Sequence, residues 1–200
     1  MWYKLIYIFR LLSENFGRLT YITLIIDDAG SGDLLFGVVI GAYRSENQDF
    51  KYDVIDVQYF QSPKFGRKEY LNQASKTVFS LLNRLKLKVD EPIMICSGYI
   101  FDTAFNDLVQ RYGIDRICNI KVIGEPQRLT EIAYLDEIRN LGYEPLNERE
   151  ENRAKSFFHM LQWLKINQNM IKYAKTGWPR LSRYHLFRET ALMQEIQAYP

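Results

Sequence analysis

The chain has 200 residues, 47% of them hydrophobic and 25% charged, the composition of a globular protein with one sizeable core. Its two cysteines, Cys96 and Cys118, lack partners at metal-ligand spacing, so we expect reduced thiols in a cytoplasmic protein, with Cys96 buried. The net charge is +2, yet residues 1–151 carry 18 Lys and Arg against 22 Asp and Glu, whereas residues 152–188 carry eight bases and no acid. This asymmetry predicts a polyanionic partner.

The N-terminal segment, residues 1–19, is apolar but contains Lys4 and Arg10. Its uncharged runs are too short for a membrane-spanning helix, and it does not have the pattern of a signal peptide. We therefore predict an N-terminal helix that packs on the domain, and no membrane partner.

Three strands are predicted next. Residues 20–26 are rich in β-branched and aromatic types, residues 34–43 are almost all apolar, and residues 51–59 begin with alternating polar and apolar positions. The short polar link "SENQD" between the second and third strands is typical of a hairpin. We expect an antiparallel three-stranded meander.

The hydrophobic period then changes to that of a helix. After Pro63, apolar residues recur at i, i+3, i+4 and i+7. The later elements are predicted as strand 93–96, helix 102–112, strand 117–123, helix 126–141, a helix with the stripe Ala154, Phe157, Phe158, Leu161 and Leu164, and a last helix from about residue 188. Strands alternating with helices predict an α/β fold in which a mixed five-stranded sheet has helices on both faces.

This element order, with an acid at the end of the first strand, resembles the ribonuclease H-like superfamily over roughly residues 20–142. We predict an N-terminal helix (1–19), a ribonuclease H-like core (20–146), and a C-terminal helical segment rich in basic and aromatic residues that packs on the core (147–200). The resemblance implies carboxylates on the first strand, a central strand and a late helix that together hold divalent metals. Two Mg²⁺ ions about 4 Å apart stabilise the charge that develops when water attacks a phosphodiester.

The stretch "DDAGSG", residues 27–32, is similar to the Asp-Glu-Ala-Gly-Arg-Gly opening of type 2 ribonucleases H. By that resemblance, Asp27 and Asp28 are catalytic ligands of Mg²⁺ or Mn²⁺. Gly30, Ser31 and Gly32 would touch the sugar-phosphate backbone of a nucleic acid. Ser31 replaces the arginine of the family motif, which removes one cation from this contact.

A second interpretation of the same stretch is a hairpin tip with two solvated acids, because glycine and aspartate supply the positive φ that a tight turn needs. A third is a site for Mg-nucleotide phosphates of the actin-like kind, which also places an aspartate and glycines here. Such sites normally lie between two domains of this type, and the chain has room for one.

The remaining carboxylates of a nuclease site are harder to place. Endonuclease V-like members of the superfamily read Val-Asp-Gly at the end of the central strand, whereas this chain has Ser97 followed by Gly98. Asp102, a few residues on, is a catalytic candidate if the loop folds back, and its alternative role is a helix N-cap.

Glu150 is the candidate for the late-helix ligand. A helix that begins near Asn147 would place Glu150 on the same face as Ala154, Phe157 and Leu161, pointing inward at its N-terminal end. The alternative is a capping box, in which Glu150 bonds back to the backbone of Asn147.

The basic segment 152–188 is interleaved with aromatic residues. Lys and Arg neutralise phosphates and aromatic faces stack on unpaired bases, so this segment predicts a nucleic-acid surface. The residues predicted to contact nucleic acid are Lys175, Trp178, Arg180, Arg183 and Tyr184. The alternative is a solvated basic face that covers the acidic side of the domain.

The sequence thus predicts a metal-dependent nuclease that binds DNA or RNA. Two alternatives stay open: a non-catalytic ribonuclease H-like module that binds nucleic acid or a protein, and an actin-like nucleotide binder.

Overall fold

A five-stranded mixed sheet forms the centre of the protein. The computed structural model describes residues 23–147 and 152–188. The strands are β1 (Leu24–Ala29), β2 (Val38–Arg44), β3 (Asp49–Ile55), β4 (Ile93–Cys96) and β5 (Ile117–Ile120), in the spatial order β3-β2-β1-β4-β5. β1, β2 and β3 form an antiparallel meander, and β4 and β5 continue the sheet in parallel with β1. The predicted α/β class and mixed five-stranded sheet are confirmed.

Two helices cover each face of this sheet. They are α1 (Glu69–Arg84), α2 (Asp102–Tyr112), α3 (Glu125–Asn140) and α4 (Arg153–Ile166). Because side chains alternate along a strand, Leu24 and Ile26 pack in the layer beneath α1 and α2, whereas Ala29 packs in the layer beneath α3 and α4. Every residue of β2 is buried, which explains why this strand is apolar on both faces.

Several predicted element ends are wrong by a few residues. β1 extends to Ala29, so both aspartates lie inside the strand and not after it. β2 begins only at Val38, because residues 34–37 cross to the C-terminal segment. β3 ends at Ile55, where Asp56 caps a 3₁₀ helix.

The start of α4 corrects a second prediction. The helix begins at Arg153 with Asn152 as its cap, whose side chain accepts a hydrogen bond from the backbone N–H of Lys155. Asn147 therefore does not cap this helix, and the predicted helix start near Asn147 is wrong. The buried face is shifted as well: Phe158, predicted to face the core, is 55% exposed.

The C-terminal segment packs on the second layer of the core. After α4 it forms two 3₁₀ helices, Gln168–Tyr173 and Pro179–Arg183. Between them, Ala174 forms an antiparallel bridge with Leu35. The predicted N-terminal helix (1–19) and most of the last helix lie outside the described residues. Among the residues that are described, no helix is long and apolar enough to cross a membrane.

Candidate metal centre

Two aspartates and one cysteine lie together at the carboxyl end of the central parallel strand pair. Asp27 and Asp28 are in the second half of β1, and Cys96 is the last residue of β4. Ile26 pairs with Ile95, so the next residues along the two strands, Asp27 and Cys96, are neighbours. One ligand atom from each of Asp27, Asp28 and Cys96 lies within 4.8 Å of the other two. In open α/β sheets, ligands bind at this edge.

The burial of this cluster contradicts a solvated hairpin tip. Asp27 is 5% exposed, and Asp28 and Cys96 are partly buried. Gly98 leaves room for the second carboxylate, because a Cβ at this position would stand only 3.2 Å from Asp28 Oδ1. Two adjacent carboxylates held away from water favour a cation between them, since each disfavours the charge of the other.

The electrostatics of Asp28 follow from this crowding. The pKa of the Asp28 carboxyl is raised to about 6, chiefly by burial and in part by the charge of Asp27. A hydrogen bond from Ser31 and the positive charges of Lys175 and Arg153 act in the opposite direction. The carboxylate is thus ionised at neutral pH at a cost in folding free energy.

Cys96 is part of this cluster and is only partly buried, whereas the sequence predicted a buried thiol. Burial raises the pKa of the Cys96 thiol to about 11, and the charge of Asp27 and a hydrogen bond to it act in the same direction. In the absence of a metal, the thiol holds its proton at neutral pH and bonds Asp27.

We expect Asp28→Asn to stabilise the metal-free protein at pH 7. Because the pKa of Asp28 is raised in the folded state, its ionisation destabilises the fold progressively as pH rises from about 3.8 to about 6. A shift of this size corresponds to about 1–3 kcal/mol. Urea unfolding in EDTA at pH 7 and pH 4 measures it, and the advantage of the variant should shrink at pH 4.

The exposed Asp136 provides the control for this prediction. Its side chain is 61% exposed, on α3, and Asp136→Asn should change the free energy of unfolding by less than about 0.5 kcal/mol. An Asp28→Asn protein that is less stable than the wild type at pH 7 would contradict the strained-carboxylate account.

A buried lysine fixes the turn that follows the aspartates. Lys175 is fully buried, and its Nζ donates to the carbonyl oxygens of Gly30 at 2.6 Å and Asp33 at 2.8 Å. Gly30 has φ +84° and lies against the ring of Tyr134, where a Cβ would collide. The predictions that Lys175 and Gly30 touch nucleic acid are therefore wrong, because both are buried in the support of the turn.

The other carboxylates do not join the cluster among the described residues. Asp102 is exposed and is the first residue of α2, whose N-cap is Phe101, so the alternative prediction of Asp102 as the N-cap is wrong as well. Ser97, at the position of the expected central aspartate, is exposed, and its N–H donates to Ile120. Glu150 lies outside the described residues.

Four of the residues predicted to bind nucleic acid meet in one cleft. Ser31, Gly32, Trp178 and Arg180 line it together with Tyr99 and Pro179, and its volume is about 340 Å³. Arg183 is exposed and does not line the cleft. Tyr184 packs against Phe157 and Phe158 at ring-centroid distances of 5.5 and 6.4 Å.

Three residues near this site were missed as functional candidates. Cys96 and Tyr99 end and follow the central parallel strand, where the rule that sites lie at carboxyl strand ends could have pointed to them. Arg153 approaches Gly32: its Nη1 would lie 3.7 Å from a Cβ added to that glycine, and no sequence pattern brings these two positions together.

Comparison with protein-family models gives no match for this chain, and comparison with curated proteins gives none either.

Proposed function

We propose that this protein is a ribonuclease H-like hydrolase that cleaves phosphodiesters of DNA or RNA with a bound Mg²⁺ or Mn²⁺. The observation that carries the proposal is the cluster of Asp27, Asp28 and Cys96, whose ligand atoms lie within 4.8 Å at the carboxyl end of β1 and β4. The strand order around it and the adjoining basic segment support the same proposal.

The residues of this cluster fit a hard divalent cation. Mg²⁺ is usually held by one or two carboxylates, with water and substrate phosphate oxygens in its other positions. Asp27 and Asp28 supply two carboxylates, and Cys96 adds a softer ligand that favours Mn²⁺ over Mg²⁺. A bound cation would polarise the phosphodiester and lower the pKa of an attacking water.

The protein groups have distinct roles in this proposal. Asp27 and Asp28 hold the cation, and the hydrogen bond that Ser31 gives to Asp28 orients that carboxylate. Lys175 fixes the turn from which Ser31 projects. Arg153 lies beside the turn at Gly32 and is placed to neutralise a phosphate there.

The second candidate function is a non-catalytic module that binds nucleic acid. It is favoured by the cluster holding only two carboxylates among the described residues, with Ser97 and Asp102 outside it. Two free cysteines, Cys96 and Cys118, support a reducing, cytoplasmic setting for either function.

We expect the wild-type protein to cleave a panel of single-stranded, double-stranded and hybrid nucleic acids with Mn²⁺ or Mg²⁺ and not with EDTA. Asp27→Asn should lower the rate at least about 100-fold, since it removes a carboxylate that binds the cation. Asp136→Asn, an exposed aspartate on α3, is the matched control and should retain the rate.

Binding of Mn²⁺, read as an increase in Tm, separates the outcomes. Wild type should gain Tm with Mn²⁺ and Asp27→Asn should not. Metal-dependent stabilisation and salt-sensitive binding without cleavage would favour the non-catalytic module. If the protein shows no cleavage and no metal-dependent change in Tm, a metal centre at Asp27 and Asp28 is refuted.

A further inference from the structure

The cleft beside the aspartates is built from three distant parts of the chain. Ser31 and Gly32 come from the turn after β1, Tyr99 from the residues after β4, and Trp178 and Arg180 from the C-terminal segment. Its volume of about 340 Å³ is at the lower end of the range of about 300–1,000 Å³ for pockets that hold small ligands. Its volume is compatible with one small planar group, such as a single base.

The side walls of this cleft are aromatic. Tyr99 is 51% exposed, and its ring is fixed edge-on against Tyr70, with centroids 6.3 Å apart at 82°. Trp178 is partly buried, and the guanidinium of Arg180 lies 4.6 Å from its ring centroid. Flat, fixed faces of this kind stack on nucleobases with little dependence on base identity.

The cleft is continuous with the proposed metal centre. Ser31 lines the cleft and also hydrogen-bonds Asp28. Gly98, directly before Tyr99, is the residue against which Asp28 Oδ1 rests. A group held in the cleft is consequently adjacent to the two carboxylates.

The charge around the cleft is complementary to a phosphate backbone. Arg180 lines it and is exposed, and Arg153 lies beside Gly32 at its edge. The segment 152–188 that supplies both arginines contains no acid. Stacking faces bordered by cations are the combination used by proteins that bind single strands.

We propose that this cleft binds one unpaired base of a single-stranded nucleic acid, with the neighbouring phosphate at Arg153 and Arg180. This inference rests on the proposed function, and it names single strands as the substrate class of that site. A base inside a duplex has both faces covered by its neighbours and cannot enter, so the strand must be unpaired at this position.

Binding of short fluorescein-labelled oligonucleotides in EDTA tests the inference without cleavage. Single-stranded DNA or RNA should bind at least about 10-fold more tightly than the matching duplex, and Tyr99→Ala should weaken single-strand binding about 5- to 150-fold. Tyr99→Phe should retain affinity, because the stacking face is kept. Arg180→Ala should weaken binding and lower the salt dependence by about one counterion.

Matched controls lie on other surfaces. Tyr52, 37% exposed on the edge strand β3, and Arg139, exposed at the end of α3, do not line the cleft. Tyr52→Ala and Arg139→Ala should bind within about twofold of the wild type, since neither removes a stacking face or a cation of the cleft. Tyr99→Leu, which keeps apolar packing on Tyr70, replaces Tyr99→Ala if that variant unfolds.

Several outcomes would overturn the inference. They are equal or tighter binding of duplex, unchanged single-strand binding by Tyr99→Ala, and binding of a free nucleoside monophosphate as tightly as the oligonucleotide. Binding through Tyr99 without cleavage in any metal would retain the cleft and refute the hydrolase. Cleavage by the wild type, together with unchanged single-strand binding by Tyr99→Ala, would support the hydrolase and refute the cleft as the base-binding site.

Discussion

Replacement of Lys175 by methionine is expected to lower the free energy of unfolding by about 3–5 kcal/mol, because the two short hydrogen bonds from its charged donor, and a longer one to Leu35, are lost. Nζ of Lys175 donates to the carbonyl oxygens of Gly30 and Asp33, and the side chain is fully buried. Methionine fills a similar volume but leaves both oxygens without this donor. The Tm should fall by roughly 10 °C in a chain of this size.

The effect should extend to the site, because the turn held by Lys175 carries Ser31, the hydrogen-bond partner of Asp28. A reduced gain of Tm with Mn²⁺ in Lys175→Met, relative to wild type, measures this. Lys121→Met, at an exposed lysine after β5, is the control and should change stability by less than about 0.5 kcal/mol. A Lys175→Met protein as stable as the control would show that Nζ does not hold the turn.

Glu91→Ala is expected to cost a similar amount, about 3–5 kcal/mol, because it leaves a buried guanidinium without its counter-charge. Arg44, at the end of β2, donates to both carboxylate oxygens of Glu91 at 2.8 and 3.0 Å. Arg44 and Glu91 are 6% and 3% exposed. Chemical denaturation at pH 7 measures the loss.

The contribution of Glu91 also predicts a pH dependence. Burial by itself raises the pKa of the carboxyl, but the bonds from Arg44 and from the backbone N–H of Lys88 outweigh it, so the pKa is lowered. A carboxyl whose pKa is lowered on folding stabilises the protein above its unfolded value. That contribution should disappear as pH falls below about 4.5 toward the lower pKa of the folded state.

The neighbouring surface pair provides a control for this ion pair. Glu46, with its side chain 42% exposed, accepts from Lys88 Nζ at 2.7 Å, and Glu46→Ala should cost at most about 1 kcal/mol. The double variant Arg44→Met with Glu91→Leu should be more stable than the sum of the single losses predicts, since no buried charge is left over. Additive losses would contradict the coupling.

The sequence by itself determined the architecture. Runs of β-branched and apolar residues before Pro63 and a hydrophobic period of about 3.6 after it are local signals that indicate the element types and their order. The strand Ile93–Cys96 and the helices Glu69–Arg84 and Glu125–Asn140 follow from patterns within each segment. The order of elements then led to the mixed sheet, because crossovers between parallel strands have one preferred hand.

The ends of the helices and strands are harder to predict from the sequence, because tertiary contacts decide where they lie. Residues 34–37 are apolar enough for a strand, but Leu35 bridges Ala174 in the C-terminal segment and β2 starts later. The sequence predicts the start of α4 near Asn147, but Asn152, a residue of the same capping propensity, is the cap in the structure.

The tertiary structure alone decided the composition of the site. The sequence predicts Lys175 as a surface base, since nothing in its neighbourhood along the chain indicates that it reaches Gly30, 145 positions away. Cys96 joins Asp27 through the register of two parallel strands, and Tyr99 and Trp178 line one cleft because three segments of the chain converge there. Local periodicity specifies what each segment becomes, whereas long-range packing specifies which side chains are neighbours, and the chemistry proposed for this protein depends on the second.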